Sequence, residues 1–132
     1  MSHSIRIGLT GTLEKTVRKD DTAASVKSGV LEVLGTPVLA AFMEEASCLA
    51  VQEVLPSKTT TVGTYLQLEH KAPTPVGMEV QIEAKLVETK DRLLIFELTG
   101  KDEKEAIGKG VHHRVIVDEK KFMERVNGKS KR

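Results

Sequence analysis

The stretch GTPVLAAFMEEASCLAVQEVLP, residues 35–56, decides how the rest of the chain must be arranged. Thr36 has the hydroxyl of an N-cap, Pro37 suits the first helical position, and Pro56 closes the segment about five turns later. Between these ends the residues are apolar on nearly every side, so one long helix is expected that needs cover all round rather than along a single stripe. Yet Glu44 and Glu45 stand side by side near its middle, where an unpaired carboxylate is costly.

Beyond the helix the hydrophobic period changes from about 3.6 residues to 2. In TTTVGTYLQLEHKA (59–72), Val62, Thr64, Leu66, Leu68, His70 and Ala72 are expected to share one face, which turns His70 inward. GMEVQIEAKLVE (77–88), RLLIFELTG (92–100) and EAIGKGVHHRVIVD (105–118) follow, joined by short polar turns, and predict an antiparallel meander. Upstream, IRIGLTGTLEKTV (5–17) reads as a strand and RKDDTAASVKSG (18–29) as a mobile loop or short helix of the kind that covers sites. EKKFMERV (119–126) predicts a short helix and NGKSKR (127–132) a solvated, frayed tail. A long apolar helix and five or six strands bury that helix only if a curved antiparallel sheet wraps around it. The expected fold is therefore α+β, a hotdog, in one domain over residues 1–132. Such a wrap leaves sheet edges open, so a homodimer is expected, with the further option of dimers pairing into tetramers.

Bulk properties exclude several classes of partner. Lys and Arg number 20 against 19 Asp and Glu, a balance that gives no reason to expect nucleic acid or an anionic membrane. The single Cys48 forms no internal disulfide, and with four scattered His it offers no metal-ligand spacing; no metal is expected, and a reducing, cytoplasmic home is. The longest apolar run, Val38 to Met43, is far short of the ~20 residues that span a bilayer, and MSHSIRIGLTG has no signal-peptide core.

Taken singly, the polar residues with chemical potential have ordinary explanations. Glu44 and Glu45 could face solvent with Gln52 and Glu53, or one of them could lie at the helix–sheet seam opposite His70. His70 could be a hydrogen-bonded core residue or an acid–base group, and Thr36 a simple cap. His112 and His113, adjacent on a strand, point to opposite faces and cannot chelate one metal together. Gly108 and Gly110 fit either β-bulges or a close approach of ligand to backbone. Cys48 in the helix reads as a structural thiol.

As an ordered set they carry more. Thr36, Glu44 eight residues on, Gly63-Thr64 opening a strand, His70 followed by APTPVGMEVQIEAKL, and IGKGVHHRVIV with Arg114 resemble the fluoroacetyl-CoA thioesterase family of single-hotdog proteins, over residues 14–126. The resemblance implies hydrolysis of an acyl-CoA thioester by a Thr/Glu/His triad at a dimer interface, with Thr36, Glu44 and His70 in the matching positions. It implies further that Gly63 and Thr64 lie at the oxyanion and substrate site, that Arg114 meets substrate, at the CoA phosphates, and that coenzyme A enters only as part of the substrate, with no other cofactor.

The helix begins Thr36-Pro37 where the family has Thr-Gly, and Val30 and Leu31 occupy the lid segment in which the fluoroacetyl-specific member carries an aromatic residue. A small or medium acyl-CoA is accordingly the expected substrate, with no preference expected for a fluorinated acyl group. The alternative reading is a non-catalytic acyl-CoA or acyl-carrier binding module on the same fold. Within the triad reading, Glu44 attacks the thioester carbonyl or activates water, His70 orients or protonates, and Glu45, about 100° round the helix, is an ordinary polar residue.

Overall fold

The computed structural model describes residues 5–130. Five strands, β1 (Thr10–Thr16), β2 (Thr59–His70), β3 (Glu79–Lys90), β4 (Leu93–Asp102) and β5 (Ala106–Asp118), form one antiparallel sheet in the order β1-β3-β4-β5-β2. Three helices accompany them: α1 (Ala23–Val26), α2 (Thr36–Val51) and α3 (Glu119–Gly128). The β3–β4–β5 meander is as expected. Its first hairpin turns through Asp91 and Arg92, with Asp91 taking the positive φ of 56° that so short a loop requires.

The sheet curves around α2, as a hotdog does. Leu39, Phe42, Met43, Ala46, Ala50 and Val51 of the helix meet Val80, Ile82, Ala84, Leu86, Leu94, Phe96, Leu98 and Ile107 of the sheet, all buried. Truncating one of the large members to Ala would cost about 2–5 kcal/mol. The helix rests chiefly on β1 and β3. Gly11 on β1 permits that contact, because a Cβ there would overlap the Ala46 carbonyl oxygen and lie 2.6 Å from the Ala50 backbone nitrogen.

Several sequence expectations need adjustment. The helix has an exposed stripe, Pro37, Ala41, Glu45 and Leu49, and is not covered all round. It ends at Val51 and passes through turns to Pro56, which has no N–H with which to bond the Gln52 carbonyl and continue the helix. Its N-cap is Gly35, not Thr36; a Cβ at Gly35 would lie 3.1 Å from the Ala23 backbone nitrogen, so α1 packs too close for a capping side chain. Thr36 is the first helical residue, and its hydroxyl is left for another partner.

Residues 18–29 hold the short helix α1, one of the two forms expected, and are tied down by backbone bonds: Ala23 N–H donates to Val33 O at 2.8 Å, Ala24 N–H to Leu31 O at 3.1 Å, and Gly35 N–H to Asp21 O at 2.9 Å. Residues 5–9 lie outside β1, and α3 absorbs Asn127 and Gly128 from the expected tail, of which residues 131–132 are outside the described range.

The largest correction concerns β2. Its register with β5 slips between Gly63 and Tyr65, so Thr64 is an extra residue in a bulge. After the bulge Leu66, Leu68 and His70 face inward, as the alternation predicts. Before it the phase is reversed: Thr61 is buried, while Val62 and Thr64 leave the face assigned to them.

Candidate active site

Two groups of polar residues gather along the inner side of the sheet. At the N-terminal end of α2, Thr36 Oγ1 and His70 Nδ1 lie 2.7 Å apart. The helix brings Thr36 to this point and the end of β2 brings His70. A cleft of about 280 Å³ opens beside the pair, lined also by Ala23, Ser28, Leu34, Ala72 and the exposed Lys71. Burial lowers the His70 pKa below its ordinary 6.5, a backbone hydrogen bond at Ala72 opposing the shift only in part, so the ring is neutral at pH 7. Its Nε2 is shut off from solvent and has no hydrogen-bond partner among the described residues. A buried ring nitrogen in that condition is unusual.

The second group lies further along the helix. Arg114 on β5 is 7% exposed and turned into the sheet's inner face, where Nε donates to Thr61 Oγ1 at 2.8 Å and Nη2 to Thr61 O at 3.0 Å. Its Nη1 is 3.1 Å from His112 Nε2, and His112 Nδ1 is 2.9 Å from Tyr65 O. Gly63 lies against both side chains: a Cβ there would stand 3.2 Å from His112 Cε1 and 3.3 Å from Arg114 Nη1. Glu44, half-buried, is close enough for its charge to act on His112.

These positions divide the sequence-derived constellation. Thr36 and His70 are together. Glu44 is on the same i, i+4 ridge of α2 through Ala40 but about 12 Å further along the axis, within electrostatic reach of His112. Arg114 is thus buried against Thr61 and His112. Thr64 sits exposed at the bulge, its hydroxyl donating to His113 O at 3.3 Å. Val30 and Leu31, 89% and 68% exposed, form the tip between α1 and α2. Glu45 points to solvent and pairs with Lys15 at 3.3 Å.

His112 was missed by sequence reasoning, which could say only that it and His113 face opposite ways. The available signal was its place two residues before Arg114, on the same face of the strand. His113, on the other face, packs against Tyr65 with ring centroids 4.7 Å apart. Among the described residues no three His, Cys, Asp or Glu gather as metal ligands would, and no helix is long and apolar enough to cross a membrane.

The profile of a family described as "Fluoroacetyl-CoA-specific thioesterase" matches residues 17–120. This chain belongs to that family. A fluoroacetyl-CoA thioesterase from Streptantibioticus cattleyicolor is 30% identical over 99 residues, 75% of this chain and 71% of its own. The solved structure of a fluoroacetyl-CoA thioesterase, FlK, superposes with a TM-score of 0.91 at 26% identity, covering 96% of this chain and 98% of that one. A variant of that enzyme in complex with acetyl-CoA gives the same TM-score and identity over 96% and 100%. A thioesterase superfamily member from Thermus thermophilus, at 22% identity and a TM-score of 0.86 over 96% of each chain, shares the fold. The family's hotdog thus agrees with the sheet and helix described above.

Proposed function

We infer that this protein is an acyl-CoA thioesterase, releasing free acid and coenzyme A, and that its site is completed by a second copy of the chain. Family membership supports the reaction. The observation that carries the site is the Thr36–His70 pair, whose His70 Nε2 is buried and without a partner among the described residues while Glu44 stands some two turns away along α2.

β2 is an edge strand of the sheet. Joining two copies across that edge by a two-fold axis removes the open edge and sets the two α2 helices side by side in opposite directions. In that arrangement Glu44 of the partner subunit lies beside Thr36 and His70, and each dimer holds two equivalent sites. The carboxylate either attacks the thioester carbonyl or takes a proton from the attacking water. His70, neutral and held by Thr36, orients the reacting group, and in the general-base route the proton that the carboxylate takes from water passes on to the departing thiolate. The backbone N–H of Gly63 and the Arg114 guanidinium stand on the Glu44 side of the site as donors to the negative charge that develops on the carbonyl oxygen. Exposed Lys71 at the cleft is a further cation available to the CoA phosphates.

The lid positions Val30 and Leu31 are aliphatic and open to solvent, which favours a small or medium acyl group without a preference for fluorine. Coenzyme A enters as part of the substrate, and the reaction needs no other cofactor. Free-thiol release from acetyl-, branched, aromatic, long-chain and fluoroacetyl-CoA by the purified protein tests the reading. Hydrolysis of the smaller esters is expected. Tight binding of every ester without thiol release would show a binding module instead.

A further inference from the structure

His112 is 1% exposed and lies outside the Thr/Glu/His constellation, yet both of its ring nitrogens are held. The Tyr65 carbonyl can only accept, so Nδ1 must carry the hydrogen of that 2.9 Å bond. The Arg114 guanidinium can only donate, so Nε2, 3.1 Å from Nη1, must offer a lone pair. An imidazolium would aim an N–H at an N–H. Only the neutral Nδ1–H tautomer satisfies both neighbours.

We propose that His112 is a positioning residue for thioester hydrolysis: locked as the Nδ1–H tautomer by Tyr65, it turns the Arg114 guanidinium so that the charge is fixed beside Gly63 and toward Glu44. The inference rests on the thioesterase reading above. Arg114 has no carboxylate within ion-pair distance among the described residues, the ion pairs there being Lys15–Glu45, Arg18–Asp20 and Lys109–Glu69. With Nε, Nη2 and Nη1 each donating once, one N–H on each terminal nitrogen remains uncommitted among these residues. A buried cation left in this state is expensive, and it fits a site where negative charge appears during the reaction. The missing side chain at Gly63 keeps the Nη1 side of the guanidinium open.

The groups acting on His112 agree with a neutral ring. Burial and the Arg114 and His113 charges lower its pKa, and they outweigh the Tyr65 hydrogen bond and Glu44, which raise it.

Three substitutions separate the two nitrogens. Gln at 112 can place an amide oxygen near the Nε2 position and accept from Arg114. Asn can still donate to Tyr65 but has no atom at that position, and Phe fills the space with neither. His112→Asn and His112→Phe are expected to lower kcat about 10- to 100-fold with little change in KM, and His112→Gln to recover most of the loss. Equal activity of the Asn and Gln variants, or a fully active Phe variant, would overturn the proposal. Long-range 1H–15N spectra of the wild-type protein give a readout independent of substrate. A protonated Nδ1 and a bare Nε2 are expected, whereas a protonated Nε2 at neutral pH would overturn the assignment. A protein with the expected spectrum that hydrolyses no thioester would instead sink the thioesterase reading.

Discussion

The Thr36 hydroxyl and the His70 ring meet at 2.7 Å although 34 residues separate them in the chain. The contact exists because Gly35, not Thr36, caps the helix, which leaves the Thr36 oxygen without a duty to its own backbone. Removing the hydroxyl in Thr36→Ala should lower kcat about 10- to 100-fold, and Thr36→Ser should keep most of it. His70→Asn should cost more, about 10²–10⁴-fold. Thermal melts alongside the kinetics establish that each variant is folded; a fully active, folded His70→Asn would reduce the pair to a packing contact.

Glu44 and Glu45 share a helix and differ in surroundings. Glu44→Gln should nearly abolish hydrolysis while leaving acyl-CoA binding intact, because the amide keeps the size of the acid but neither attacks nor accepts a proton. Glu45→Gln removes only a surface pair with Lys15, worth little, and should be almost silent. Comparable losses in the two variants would mean that the carboxylates act through helix stability.

Mixing inactive variants tests whether the site spans two chains. If Glu44 of one subunit serves His70 of the other, a mixed dimer of Glu44→Gln and His70→Asn holds one site with both lesions and one with neither. Co-refolded mixtures should therefore regain hydrolysis that neither variant shows alone. Absence of any regain in a verified mixed dimer would place the constellation within a single subunit.

Two histidines set a pH window for stability. His70 and His112 both have folded pKa values below the ordinary 6.5, in each case with burial as the leading cause. As pH falls past 6.5 the unfolded chain takes up protons that the folded protein refuses, so stability declines from there downward until the folded pKa values are passed. Urea unfolding should show lower stability at about pH 5.5 than at about pH 7.5, with a smaller drop in His112→Phe. A stability that rises on acidification would contradict the assigned protonation states.

Gly11→Ala should destabilise the fold by about 1–3 kcal/mol or more, since the new methyl meets helix backbone that cannot step aside. The urea midpoint measures it. An unchanged midpoint would mean that α2 can shift away from β1 at no cost.

Much of this architecture was legible in the sequence because hydrophobic period reports burial directly. The run around Phe42 and Met43 marked the central helix, and the alternation from Val80 to Leu86 marked a strand with one buried face. His70 could be placed inward for the same reason. What could not be read depends on local geometry that period does not encode. Nothing in TTVGTY says that Thr64 is an added residue, so alternation alone places Val62 on the wrong face and gives no sign of the Arg114 cluster. The shift of the cap from Thr36 to Gly35 likewise arises from α1 lying against Gly35, a contact between segments.

The bulge at Thr64 works like a shift of reading frame in three dimensions. A strand with strict alternation can present either Thr61 or His70 to the helix side, but not both, since nine positions separate them and nine is odd. One inserted residue lets a single strand serve both groups, holding Arg114 through Thr61 at one end and Thr36 through His70 at the other. Deleting Thr64 would take out the frame shift together with the residue that makes the count odd: eight positions would then separate Thr61 from His70, an even number, so a regular strand would still turn both toward the helix and lose only the local bend of the bulge.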